Sequence, residues 1–250
     1  MHPDKVSSTQ DPVIAAKFPP TLWSIVLKAG GECSAQSQEA LAKLCDAYWY
    51  PLYAFVRRQG KSLHDAEDLT QGFFLHLFEK NGLDKVRPEK GRFRSFLLAS
   101  LKHFLADEWE KSTAQKRGGG VSVVSFEVAN AEERYRSEPV EQSDPEKLYE
   151  RRWAITLLDR VLVRLEGEFA AAGRKDRFDQ LHIFLSGDRE NVTYGEAASR
   201  LGMTEGAVKI AVLRLRQRYR ELLLTEVANT VASEKEVKEE MRHLFAVLGA

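Results

Sequence analysis

Between Thr193 and Leu222 the chain carries two helix starts separated by a helix stop, an order that few folds accommodate. Thr193-Tyr-Gly-Glu196 has the form of a capping box, in which the threonine hydroxyl accepts a backbone N–H and the glutamate reaches back. Ala197, Ala198 and Leu201 supply a short apolar face, and Gly202 suits the left-handed residue that ends a helix. Thr204 then caps a second helix that buries Val208, Val212, Leu215, Tyr219 and Leu222 at helical spacing. A short helix, a glycine turn and a longer helix predict a helix-turn-helix unit.

Helical periodicity governs most of the remaining chain, and the one β-branched cluster, Val121, Val123 and Val124, is too short for a sheet. Leu41, Leu44, Cys45, Tyr48, Trp49 and Leu52 mark one buried face, with Pro51 expected to kink the helix. Ser62 is the expected N-cap of a helix with Asp65 at its third position and a stripe of Ala66, Leu69, Phe73 and Leu77, stopped at Asn81-Gly82. A further helix from about Arg92 to Ser112 buries Phe93, Phe96, Leu97, Leu101, Phe104 and Leu105. Near Pro145 helical order resumes with Trp153, Leu157, Leu158, Val161 and Leu165. The predicted fold class is all-α, as two helical domains joined by an acidic linker.

Residues 1–20, with four prolines, read as a flexible leader, and 21–115 as the first domain. From 113 to 147 no helical period is seen, and 121–150 holds eight acids against three bases. Residues 116–147 therefore read as the linker, because a loop this long inside one domain is unusual. Residues 148–225 form the second domain. A C-terminal extension, 226–250, follows, an amphipathic helix with Val237, Met241, Leu244, Phe245 and Leu248 on one face, expected to cap the second domain or to dock a regulator.

The second helix of the helix-turn-helix unit carries Lys209, Arg214, Arg216, Arg218 and Arg220 against Glu205 and Glu221, although the whole chain has no net charge. Such a local cationic stripe suits phosphates, and the first residues of a recognition helix reach base edges. Ile210 and Leu213 could touch thymine methyl groups, but two neighbouring aliphatics are expected to pack against the C-terminal tail. No enzyme is expected: the six histidines form no zinc-hydrolase pattern, and Gly118-Gly119-Gly120 lacks the Lys-Ser/Thr of a phosphate loop. Two cysteines exclude a four-cysteine zinc site, no cofactor is expected, and no apolar run approaches the roughly 18 residues of a membrane span. With a polar N-terminus that lacks a signal-peptide core, a cytoplasmic location is expected.

With these residues in place, the chain resembles a bacterial RNA polymerase sigma factor of the extracytoplasmic-function type. Asp65-Ala-Glu-Asp-Leu-Thr-Gln71 and Phe73-Phe74-Leu75 look like the core-binding motif of the family's second conserved region. Phe93-Arg-Ser-Phe-Leu-Leu-Ala99 through Asp107 looks like the promoter-melting helix, and Val192 through Lys209 like the fourth-region helix-turn-helix. The resemblance implies core RNA polymerase as partner for Asp65, Glu67, Asp68 and Gln71. It implies promoter double-stranded DNA, and a melted single strand at the minus-ten element, for Lys102, His103, Asp107, Trp109, Lys111, Lys116 and Arg117. Thr204, Glu205, Gly206, Lys209, Arg214, Arg216 and Arg218 would read the minus-thirty-five element, and an anti-sigma factor or another regulator is a further partner. The acidic linker would follow the polymerase's RNA exit path. Lys85, Arg87, Lys90, Arg92 and Arg94 either hold phosphates or form a solvated loop. Glu110 and Ala211 depart from the basic residues usual in the family. A stand-alone helix-turn-helix regulator is the alternative, and would need dimer contacts and palindromic half-sites.

Overall fold

The computed structural model describes residues 22–23, 35–78, 92–114, 131–137, 144–185 and 192–249, and no strand occurs among them. The leader over 1–20, Asn81-Gly82, Lys85, Arg87, Lys90, Lys116, Arg117 and the Gly118–Gly120 run lie outside the described residues. Chain order is α1 (Ala35–Asp46), α2 (Trp49–Arg58), α3 (Leu63–Phe78), α4 (Phe93–Ala114), α5 (Ala131–Ser137), α6 (Pro145–Ala171), α7 (Lys175–Leu181) and a 3₁₀ turn (His182–Phe184). Then come α8 (Tyr194–Leu201), α9 (Glu205–Asn229) and α10 (Glu234–Leu248).

Every residue of α2 from Trp49 to Val56 is buried, as expected for a helix apolar all round. Its walls are α3, α5 and α6. Pro51 does not kink a longer helix, contrary to expectation. The chain turns at Ala47-Tyr48, and Pro51 falls in the first turn of α2, where its missing N–H has no partner to lose. On the α3 side, Phe73 meets Phe104 of α4 at 5.9 Å between ring centres. Trp23 lies 4.8 Å from Phe93, which also meets Tyr48 edge-on at 5.0 Å.

Helix α6 is the longest, at 27 residues, with Asp144 accepting from Glu146 N as N-cap and Pro145 opening the helix. It touches α2 on one side and α9 and α10 on the other. Trp153 Nε1 donates to the Tyr48 hydroxyl at 3.0 Å, and the Tyr149 hydroxyl to the Arg94 carbonyl at 3.0 Å. Burial pushes both tyrosine hydroxyls far above their ordinary range, against the opposing effect of the Trp153 bond on Tyr48 and of the Arg94 charge on both.

The stretch between 113 and 147, expected to lack helical order, contains α5. A seven-residue helix is too short to show a period and is held by tertiary contact instead. Glu132 supplies that contact by bonding Tyr53 and Arg57 of α2. Arg134 adds its guanidinium over the Tyr50 ring at 4.3 Å.

Candidate functional site

Three exposed faces carry the residues expected to act. On α3, the Ser62 hydroxyl accepts Asp65 N at 3.2 Å and donates to Asp65 Oδ2 at 2.7 Å, so the cap expected from sequence forms. Ala66, Thr70, Phe73, Phe74 and Leu77 turn inward. That burial leaves Asp65 and Asp68 exposed and Glu67 and Gln71 half-exposed. Negative side chains in the first turn of a helix are favoured by its dipole, yet here they also form an open acidic face able to receive a basic partner.

On α4, Phe93, Leu97 and Leu101 are buried, and Lys102, His103, Asp107, Trp109 and Lys111 point outward. Trp109 is 63% exposed, so of the two readings open for it, core packing fails. A flat ring standing in solvent can stack on an unpaired base. Lys111 pairs with Glu108 at 2.8 Å, which holds its ammonium above the usual range, and Lys102 bonds Glu146 at the start of α6.

The helix-turn-helix forms from its own local signals. Thr193 accepts from Glu196 N at 3.2 Å, while Glu196 Oε2 accepts from Thr193 N at 2.7 Å and from its hydroxyl at 3.1 Å, two bonds that hold the Glu196 carboxyl below its ordinary value. Gly202 stands at φ 62°, in the left-handed region, and Thr204 accepts from Ala207 N at 3.2 Å. Val208, Val212 and Leu215 are buried, as expected, and Tyr219 is half-buried with its hydroxyl pushed up to about 12 by burial.

Within the cationic stripe the five bases have different surroundings. Lys209 is exposed, pairs with Glu205 at 2.6 Å, which raises its ammonium, and lies 5.7 Å over the Tyr194 ring. Arg214 is exposed, with no partner among the described residues. Arg216 donates from Nε at 3.1 Å and Nη2 at 2.7 Å to the Phe184 carbonyl, closing the turn before α8. Arg218 spans Glu168 of α6 at 2.7 Å and Glu221 at 3.1 Å, and its charge is correspondingly stabilised. The open face of α9 therefore comprises Glu205, Gly206, Lys209, Ile210, Leu213 and Arg214, with Thr204 before them.

Ile210 and Leu213 do not pack against the C-terminal tail as expected. They are 54% and 66% exposed, because α10 docks on α6 and the later turns of α9 instead. Among the arginines left as phosphate contacts or solvated loop, Arg94 is neither: it is 4% exposed and bonded to Glu240. Burial opposes its charge, but the Glu240 bonds and the nearby Glu150 outweigh that and raise its pKa. The buried stripe of α10 is Val237, Glu240 and Leu244, while Phe245, expected on it, is 56% exposed. A signal for Glu240 was present, since it falls three residues after Val237 and four before Leu244; an acid on an apolar stripe calls for a buried cation. Sequence pairing alone could not name Arg94, 146 residues away.

Among the described residues no group of three or more His, Cys, Asp or Glu side chains could hold a metal ion. No described helix is long and apolar enough to cross a membrane.

Residues 44–115, from within α1 to just past the end of α4, match the sigma-70 region 2 family. Over 182 residues the chain is 27% identical to the ECF RNA polymerase sigma factor SigE of Mycolicibacterium smegmatis. The alignment covers 73% of this chain and 61% of that relative's length. No solved structure matches.

Proposed function

We propose that this chain is a sigma factor of the sigma-70 family, of the extracytoplasmic-function type: it binds core RNA polymerase and directs promoter recognition and the start of transcription. The carrying observation is that region 2, with an open acidic face on α3, shares one chain with a helix-turn-helix whose second helix opens its first turns to solvent.

Asp65, Glu67, Asp68 and Gln71 dock on a basic surface of core polymerase. The outer face of α4 works at the minus-ten element: Lys102, Lys111, Lys116 and Arg117 hold phosphates, His103 and Asp107 border the opening, and Trp109 stacks on an exposed base. Such stacking stabilises a melted strand by about 1–3 kcal/mol per base, enough to offset part of the unpairing cost. In the second half, Thr204, Glu205, Gly206, Lys209 and Arg214 approach the minus-thirty-five element in the major groove. Arg216 and Arg218 act there at one remove, by fixing α9 to Phe184 and Glu168. Residues 21–115 and 148–225 serve as the two working units, and a protein acting on the chromosome belongs in the cytoplasm.

Run-off transcription tests this reading: core polymerase plus the purified chain, on fragments enriched from genomic DNA by the tagged protein. Initiation dependent on the chain is expected. DNA binding without support of core polymerase would point instead to a stand-alone regulator.

A further inference from the structure

Helices α6, α9 and α10 meet the 3₁₀ turn around an open cleft of about 920 Å³. Leu158 and Leu162 of α6, Leu223 and Leu224 of α9, and Met241 and Phe245 of α10 supply its apolar lining. Two of these are left to water, Leu224 at 37% and Phe245 at 56% exposed. Apolar side chains ordinarily pack closely, and a contiguous uncovered apolar surface marks a place where something else binds. The Tyr219 hydroxyl, which also reaches the cleft, already donates to the Leu158 carbonyl at 3.3 Å, so this wall asks for no polar partner.

The rim of the cleft is cationic. Arg220, the last base of the α9 stripe, stands on one wall, and Lys238 and Arg242 follow one another by a helical turn on the other. All three are exposed and pair with no acid among the described residues, whereas Lys209 and Arg218 of the same stripe do. Among the described residues no Asp or Glu lines the cleft. Apolar walls beside three unneutralised cations fit a molecule with an apolar body and one anionic end.

We infer that the cleft is a binding site for a free single-chain amphipathic carboxylate, of the fatty-acid class, with its hydrocarbon tail against the leucines and its carboxylate at Arg220, Lys238 and Arg242. Size decides for a small molecule over a protein. Twelve residues line the cleft, and ligand sites run to roughly 300–1,000 Å³, whereas a stable protein interface takes about 20–30 residues a side. A carboxylate bound here touches α6, α9 and α10 at once. The α3 face, Trp109 and the open first turns of α9 take no part, so the site is separate from the residues assigned to polymerase and DNA. The inference does not depend on the sigma-factor reading.

The test uses the full chain and cis-parinarate, a fatty-acid probe that fluoresces in an apolar site, with oleate as competitor below its micelle concentration. Wild type is expected to bind the probe and release it to oleate. Oleyl alcohol, the same tail without the charge, should compete about tenfold less well, a comparison that needs no variant to fold. The Lys238→Glu, Arg242→Glu double variant reverses two exposed charges and should weaken oleate binding about tenfold, roughly 1.4 kcal/mol, while Arg242→Lys binds as wild type does. Leu224→Trp fills the cleft from an exposed position and should abolish probe binding with the rim intact. No probe binding by wild type, equal competition by alcohol and oleate, or unchanged binding in either the double variant or Leu224→Trp overturns the site. Phosphatidylglycerol vesicles or an acidic amphipathic peptide bound in place of monomeric oleate overturns it in favour of a membrane or a protein.

Discussion

Arg57 and Glu132 meet across 75 residues of sequence as a two-pronged pair, with Nε and Nη2 each donating at 3.0 Å to a different carboxylate oxygen. The Tyr53 hydroxyl donates to the same carboxylate at 2.6 Å. Chiefly through the Arg57 bonds, the Glu132 carboxyl is held down to about 2 from an ordinary 4.5. A depressed carboxyl contributes stability that is complete above its unfolded value and is lost as pH falls through its folded value. The stability difference between wild type and Glu132→Gln should therefore be about 2 kcal/mol at neutral pH and shrink between pH 4.5 and 2. Urea titrations at pH 7, 4 and 3 check this, and a constant difference would sink it.

Leu213 and Ile210 stand exposed on the open face of α9 between Lys209 and Arg214. In a major groove such side chains meet thymine methyl groups. Leu213→Ala should weaken binding to the enriched promoter several-fold, and replacing thymine by uracil in the site should weaken wild type but not the variant. Equal loss in both would show that no methyl is read.

Arg214 and Arg216 should part company under mutation. With no partner among the described residues, Arg214 is available to a phosphate, so Arg214→Ala should reduce the salt dependence of DNA binding by about one counterion and leave the melting temperature unchanged. Arg216→Ala removes two bonds to the Phe184 carbonyl and should cost about 1–2 kcal/mol of stability. Thermal melts and filter binding across a salt series separate the two.

Asp68 is exposed on α3, away from the Ser62 cap that engages Asp65. Asp68→Lys should lower affinity for core polymerase at least tenfold, with stability within about 0.5 kcal/mol of wild type, as for other surface changes. Undiminished binding would remove α3 from the polymerase interface.

Gly202 takes a left-handed backbone conformation at the turn between α8 and α9. Gly202→Ala puts a Cβ into that region and should cost about 1 kcal/mol. Denaturant unfolding measures it. The same substitution at Gly206, where φ is ordinary and no atom lies within 4 Å of an added Cβ, should be tolerated.

The helix-turn-helix was legible in sequence because its information is local: two threonine caps and one glycine lie within a dozen residues of one another. The stripes of α3 and α4 were legible for the same reason. Pro51 misled because a proline in the first turn of a helix and one that kinks a helix look alike until the Ala47-Tyr48 turn is seen. Helix α5 was hidden because seven residues hold their shape through Glu132 and Arg57, not through a period. Ile210 and Leu213 were assigned to packing because sequence does not say where the tail lands. Part of that landing place is set by Glu240, whose partners Arg92 and Arg94 lie far back in the chain.

The ring of Tyr149 on α6 meets that of Phe55 on α2 edge-on at 6.4 Å, inside a helix buried over eight consecutive residues. Pulled from α6, α2 would show water a broad aromatic flank, and surfaces of that kind invite self-association. The α2–α6 contact is thus what keeps that flank from water.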